Sequence, residues 1–427
     1  MTKGAKRSYG LLMEEVKVRT ILVIPTYWTF EPDRFSSKQK PIAVYDHPTF
    51  MDESGTLPRL IKSLEKMRSR GVDVPKTVVL MAVTHKELEK KAEEKIESIL
   101  KEHSRRLEIM SFSFTDLKFL VSHLKKTFSK FAVFLNLTGY SNIRNLGLVV
   151  SQILESEAVI FLDDDEVVTD KSFFQKCTEF VGEEYEGKII GGVTGYYVAP
   201  SGSYWLKDNS EDWWKTGWRK RRKMNEAFKI IQGNIRLKDT PFAFGGNMVL
   251  HKELFEKVPF DPYIPRGEDM DMLVNAKMFD FAFLLDNELR VVHSPEYSGS
   301  SWSEMRQDIY RFSYMRKKLQ YLKHRKAATP LQIESLEPYP GYFLRRDLIF
   351  KFVVSSLLST IHSALKTRTK ESVEYLRNIK LSLSEVHRYV ENYYKDYFDF
   401  QELWAKSMPL IRGNKVIKDY LQRKKGS

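Results

Sequence analysis

Three consecutive aspartates, Asp163, Asp164 and Asp165, follow the apolar run 158–162. Adjacent carboxylates repel one another, so an offsetting cation is expected beside them. Side chains alternate along an extended chain, which predicts Asp163 and Asp165 on one side. Two hard oxygens there suit magnesium or manganese together with a nucleotide; the plain alternative is a solvated acidic turn. A second acidic group, Glu268, Asp269 and Asp271, stands just before the helix-like segment 273–279. It reads as a helix N-terminal cap, or as a general base that takes a proton from an acceptor hydroxyl. His293 closes the short run 290–293. A lone histidine is more often structural, though neutral imidazole also partners transition metals well. Arg144 precedes an apolar helical stretch with Asn145 beside it. A guanidinium fork near a helix N-terminus suits an anion; the alternative is an ordinary surface loop.

These residues need elements to hold them. Strands are predicted at 19–27, 76–84, 106–112 and 158–166 from their β-branched, apolar density. Helices are predicted at 57–71, 86–106 and 145–156, the first ending in the stop signal Gly71. Such alternation argues for parallel strands joined by crossover helices, with the ligand at the carboxyl ends of the strands. Pro25, Thr26 and Tyr27 then share one cleft with Asp163–Asp165. Beyond about residue 325 the chain turns rich in Leu, Lys, Arg and Tyr at helical spacing through 342–424. The longest apolar run, 348–365, contains Lys351, His362 and several serines, and is read as a helix other than a membrane span. It packs on the preceding domain, forms a homodimer interface, or lies peripherally on a membrane surface.

Composition narrows the classes. The 427 residues carry a formal charge of +13, which favours anionic partners without choosing among them. No zinc spacing or nucleic-acid-binding module accompanies that charge, so nucleic acid is not the expected partner. Cys177 is the single cysteine, which excludes an internal disulfide and a paired-cysteine zinc site. The first twenty residues lack an apolar core and contain Glu14 and Glu15, unlike a signal peptide, so a cytoplasmic protein is expected, with the inner membrane face as a peripheral location. Trp205, Trp213, Trp214 and Trp218 lie close to the basic run 219–223. Aromatic faces there suit a sugar ring, and Arg221 and Arg222 a phosphate; otherwise the tryptophans are core and the charges solvated.

Four segments in order resemble glycosyltransferase family 2 across about residues 19–320: RTILVIPTY, GTLPRLIKSL, SNIRNLGLVVSQILESEAVIFLDDDE and FGGNMVLHKELFEKVPFDPYIPRGEDMDM. The resemblance implies a GT-A fold: a Rossmann-like α/β mixed sheet flanked by helices. The catalytic domain would span 1–325, with a nucleotide-sugar half at 19–166 and an acceptor half at 190–320. A helical C-terminal region would occupy 326–427. Also implied is transfer of a hexosyl group from a GDP- or UDP-linked sugar to an acceptor hydroxyl, metal-dependent and inverting. Residue by residue, it implies donor contacts from Pro25, Thr26, Tyr27, Arg144, Asp163 and Asp164. Asp165 and His293 would hold magnesium or manganese, with Asp269 as base and Glu268 beside it. Gly245, Gly246 and Asn247 fall in the acceptor-side block, and Trp213, Trp214, Arg221 and Arg222 are added as acceptor candidates. The acceptor would be a phosphorylated polyol of the compatible-solute kind or a cell-envelope glycan. Two departures stand out: an acidic middle residue, Asp164, and an insertion at 27–54, whose Asp46 and His47 are candidates for the donor base. The rival activities are a retaining enzyme of the glucosyl- or mannosyl-phosphoglycerate synthase kind and a sugar nucleotidyltransferase.

Overall fold

The computed structural model describes residues 18–31, 45–208, 212–294, 300–322 and 329–423. The first seventeen residues, the middle of the 27–54 insertion and the 325/326 boundary lie outside the described residues. The strands are β1 (Thr20–Thr29), β2 (Thr49–Phe50), β3 (Lys76–Val83), β4 (Ile109–Phe112), β5 (Ala158–Phe161), β6 (Glu166–Val167), β7 (Glu184–Tyr185), β8 (Lys188–Val198), β9 (Leu237–Asp239), β10 (Met248–His251) and β11 (Ala282–His293). The main sheet runs β4-β3-β1-β5-β10-β8-β11-β6. Its first four strands are parallel. β10 is antiparallel to both neighbours, β8 and β11 are parallel, and β6 is antiparallel to β11. The architecture is thus the expected mixed α/β sheet, with the purely parallel arrangement confined to one half.

Sequence pattern explains the crossovers. Helix Leu57–Arg68 buries Leu57, Leu60, Ile61, Leu64 and Met67, one stripe at helical spacing. Burying each of these large side chains contributes roughly 1.5–3 kcal/mol. The helix stops at Arg68, and Gly71 then supplies a φ of +81° that other residues adopt at a cost. Helix Tyr140–Ile153 begins five residues earlier than predicted and is buried on nearly every side. Gly147 is what lets it settle on the sheet: a Cβ there would lie 2.8 Å from Val23, 3.3 Å from Leu80 and 3.3 Å from Phe161.

Strand lengths create the cleft. Val23 of β1 is level with Phe161, the last residue of β5. β1 continues to Thr29, so Pro25, Thr26 and Tyr27 lie inside it, flanked by β3 on one side and by the space beyond β5 on the other. The strand predicted at 158–166 therefore ends early. Asp164 and Asp165 form a turn, closed where the Glu166 N–H donates to the Asp163 carbonyl at 3.2 Å. The extended-chain argument for Asp163 and Asp165 does not apply to a turn.

The C-terminal region is helical, as expected, and packs on the sheet domain. Trp404 donates to the Phe255 carbonyl at 2.7 Å, and Gln152 donates to the Met408 carbonyl at 2.9 Å. Helix Leu348–Leu365 is long and apolar enough to cross a membrane, with a mean hydropathy of 1.6. Its faces are inverted relative to an ordinary core helix. Beyond Leu348 and Phe352, which are buried, the inward side is Lys351, Ser355, Ser356, Ser359, Thr360 and Ser363, while Phe350, Leu357, Ile361 and Leu365 are exposed.

Candidate active site

The acidic turn opens on a cavity of about 710 Å³. Asp163, Asp164, Asp165, His293, Arg144, Glu268, Asp269, Tyr27, Asp46, His47 and Gly245 all line it. These candidates come from separate stretches of sequence, and the sheet brings them together. Gly246 and Asn247 sit just behind this wall. The Gly246 N–H donates to the Tyr197 hydroxyl at 2.7 Å. A Cβ at Gly246 would stand 2.1 Å from Glu166 Oε1 and 2.7 Å from Asp163 Oδ2, so only glycine fits. Asn247 is buried and donates to the Leu289 carbonyl at 3.1 Å, a structural role.

Arg144 is the hub. It lies within helix Tyr140–Ile153, where the sequence put it ahead of the helix. Its Nε donates to Glu268 at 2.9 Å, Nη1 to the Gly245 carbonyl at 2.9 Å and Nη2 to Asp163 at 2.9 Å. Its fork is thus committed to the protein and joins the two acidic motifs. Asn145, beside it, exchanges two hydrogen bonds with the Phe260 backbone at 2.8 Å.

Negative charge is in excess at the turn. Burial, then Asp165 and Asp163, push the Asp164 carboxyl up to about 8, against the Thr26 hydroxyl that donates to it at 2.6 Å. Burial raises Asp163 as well, with Arg144 opposing and Asp165 adding to the rise. Glu166, which the sequence analysis did not single out, is fully buried and is raised by burial and by Asp163 and Asp165. Asp165 differs. Burial works to raise it, but His293 outweighs that and holds it below the usual carboxylate range. His293 Nε2 lies 3.1 Å from Asp165 Oδ2, and the imidazole stacks on Tyr197 at 4.7 Å between centroids. Burial disfavours its charged form, yet the bond to Asp165 raises its pKa overall. Arg59 fastens this corner by donating to the carbonyls of Ser294 at 2.7 Å and Asp165 at 3.3 Å.

Among the described residues, no group of three or more His, Cys, Asp or Glu side chains is arranged to hold a metal ion by itself. Asp165 and His293 offer one oxygen and one nitrogen, flanked by carboxylates whose ionisation is opposed first by burial and then by their like-charged neighbours. That donor set fits a divalent cation completing its shell with phosphate oxygens and water.

The acidic motif 268–271 divides by role. Gly267, at φ +73°, turns the chain into helix Glu268–Met278. Burial and neighbouring Asp269 push Glu268 up to about 7, against the opposing charge of Arg144. Asp269 faces the cavity, and Oδ2 accepts from the Gly245 N–H at 3.2 Å. Asp271 points away: Lys318, itself fully buried, reaches its two carboxylate oxygens at 2.6 and 2.8 Å and Asp261 at 2.9 Å.

The acceptor-side candidates fare differently. Trp213 and Trp214 do not line the cavity; Trp214 stacks on His362 of helix Leu348–Leu365 at 3.5 Å. Arg221 and Arg222 also stay out of it, because the cavity face of helix Lys220–Phe228 is Lys220, Met224 and Phe228, each four residues apart. Trp218 is core, while Trp205 is 41% exposed and borders the cavity. Asp46 and His47 do border it, and Asp46 pairs with Arg266 at 2.9 Å. Sequence reasoning missed Lys220, Arg266, Arg311 and Tyr339, which line the cavity as well. A stripe at every fourth residue would have revealed Lys220, and adjacency to the 267–272 motif marks Arg266. No local signal marks Arg311 or Tyr339.

No protein-family model matches the sequence, and no curated protein matches it. Among solved structures, the chain is similar to a mannosyltransferase from Pyrobaculum calidifontis in complex with GDP-Man and Mn2+, at 10% identity, over 93% of this chain and 87% of that one, with a TM-score of 0.44. It is also similar to glucosyl-3-phosphoglycerate synthase from Mycobacterium tuberculosis in complex with Mn2+ and uridine-diphosphate-glucose, at 14% identity, over 70% of this chain and 79% of that one, with a TM-score of 0.35.

Proposed function

We propose that this chain is a GT-A glycosyltransferase that moves a sugar from a nucleoside diphosphate donor to an acceptor hydroxyl. One observation carries the reading: the acidic turn, His293, Arg144 and Asp269 line a single cavity of about 710 Å³. That volume lies in the range of small-molecule sites. Asp163, braced by Arg144, faces the donor, and Tyr27 with the Asp46–His47 loop borders its base. Asp165 and His293 would hold a divalent cation, magnesium or manganese, whose charge offsets that of the diphosphate leaving group. Asp269 takes the proton from the acceptor hydroxyl, which attacks the anomeric carbon opposite the diphosphate and inverts it. Glu268 and Arg144 hold the first turn of the Asp269 helix against the donor-side turn.

A donor screen tests this. Nucleoside diphosphate release would be measured with manganese or magnesium, with chelator, and in Asp165→Ala. The expected result is metal-dependent release from one donor, lost with chelator and in the variant. Absence of both release and metal-dependent nucleotide binding by calorimetry would refute the proposal. Product NMR showing retention would remove the base role of Asp269.

A further inference from the structure

The far side of the same cavity is basic. Lys220, Arg266 and Arg311 line it and come from three places: helix Lys220–Phe228, the residue before Gly267, and helix Ser301–Leu322. Lys220 donates to Asp308 at 2.8 Å and lies 4.0 Å from Glu304. Arg311 Nη2 lies 3.1 Å from Asp308 Oδ1 and donates to the Tyr339 hydroxyl at 2.5 Å. Arg266 Nη2 pairs with Asp46 at 2.9 Å. One buried carboxylate, Asp308, thus serves two cations.

Donors are left over. Arg266 Nη1 and Arg311 Nε are buried and meet no hydrogen-bond partner among the described residues. Arg311 as a whole is only 6% exposed. Asp308 Oδ1 likewise accepts no hydrogen bond there, so the pairing within this cluster is incomplete and both guanidinium groups keep donors to turn toward an anion in the cavity they line. Lys220 shares this wall. Burial first, then Arg311 and Arg266, hold its ammonium below the usual lysine range, against the pull of Asp308.

We propose that Lys220, Arg266 and Arg311 form the subsite for a phosphomonoester carried by the acceptor, an inference that rests on the transferase reading above. Three donor side chains, two on helices and one on the loop before Gly267, match the three terminal oxygens of a phosphomonoester, whereas a carboxylate offers two. The subsite adjoins the candidate base. A Cβ at Gly267 would lie 2.2 Å from Arg311 Nη1, so the guanidinium packs against the first turn of the helix that bears Asp269. An ester held there sets its own carbon skeleton, and the hydroxyl on it, beside Asp269. The basic group that meets the acceptor is therefore this cavity-lining trio, and the exposed pair Arg221 and Arg222 is not part of it.

Calorimetric titration of inorganic phosphate into the full chain tests the subsite, with circular dichroism confirming that each variant folds. Wild type should bind phosphate saturably. Lys220→Gln and Arg266→Gln should each weaken binding about tenfold or more, the scale of a lost charge-assisted hydrogen bond. Arg221→Gln should leave binding unchanged. Asp165→Ala should lose nucleotide and manganese binding while keeping phosphate, which separates the two sites. Saturable phosphate binding in a wild type that binds no nucleotide with manganese would overturn the transferase reading and leave the anion site standing. Absence of saturable binding, or binding that both subsite variants leave unchanged, would overturn the subsite. Glycerol phosphate and vesicles containing phosphatidic acid then compete for the bound phosphate. Displacement by the first supports a soluble ester, displacement by the second a lipid headgroup, and displacement by neither refutes the proposal.

Discussion

Replacing Lys318 by Met would break a fully buried ion network that ties helix Ser301–Leu322 to the helix bearing Asp269. Lys318, Asp261 and Asp271 are each 0% exposed. Asp261 would keep two donors, the Tyr263 N–H and the Tyr314 hydroxyl, each at 2.9 Å. Among the described residues Asp271 would keep only Asn275 at 2.8 Å, so its charge is the one stranded. Burial already pushes Asp271 up to about 6, even with Lys318 opposing. Without the ammonium it should stay protonated in the fold through neutral pH. Holding a carboxyl neutral costs about 1.4 kcal/mol for every pH unit above its unfolded pKa of about 3.9. Wild type already carries part of that cost, its carboxyl being pushed up to about 6, so the added penalty is about 1.4 kcal/mol at pH 7 and close to zero at pH 5.5. The sign follows from linkage: a carboxyl whose folded pKa is raised costs nothing below its unfolded pKa and progressively more as pH rises toward the folded one. Urea unfolding followed by tryptophan fluorescence at both pH values measures the loss. Lys318→Met with Asp271→Asn should recover at least half of it. A loss under about 1 kcal/mol at pH 7, or one equal at both pH values, would refute the reasoning.

Three further outcomes are expected. Gly246→Ala should destabilise the fold by about 1–3 kcal/mol, as overpacking does, and weaken nucleotide binding, because its methyl meets Asp163 and Glu166; denaturant unfolding and calorimetry check both. Glu268→Gln should flatten the pH dependence of stability between about pH 5 and 7, since the raised Glu268 carboxyl costs stability as pH rises through that window and a glutamine does not titrate; unfolding midpoints across the window would show no change of slope if this is wrong. Charge reversal of Arg221 and Arg222 should leave acceptor KM within about twofold, because surface charges outside the site contribute little; a large rise would return them to it.

Much of this was legible in the sequence, for identifiable reasons. The four parallel strands are legible because buried β-branched runs have few other fates, whereas β8, β9 and β10 are not predicted, and Asp163–Asp165 stand out because charge ends such a run. Arg144 was noticed but misread. Its partners lie 19, 101 and 124 residues away, so no local pattern announces that its fork is already filled. The turn at Asp164 was missed because alternation assumes that a strand continues, while β5 ends at Phe161. Trp213 and Arg222 are near in sequence, yet they sit on separate elements, and helix Lys220–Phe228 turns Arg222 away from the face that carries Lys220. Helix Leu348–Leu365 shows the limit of composition. Its apolar content was plain, but which side it buries depends on partners that hydropathy does not encode.

The overhang of β1 beyond β5 has a consequence for how this cavity can change over generations. The space in front of the acidic turn exists because one strand outlasts its neighbour, and no single side chain encodes that difference. Point substitutions can retune the walls, but they leave the gap between the last β5 partner at Val23 and the first β2 partner at Trp28 in place. An insertion or deletion of one residue between Phe161 and Glu166 would instead shift the carboxylates against Thr26, Arg144 and His293 together. Descendants of this chain should therefore vary freely in the identity of the residues around the cavity and hardly at all in the count of residues in that turn.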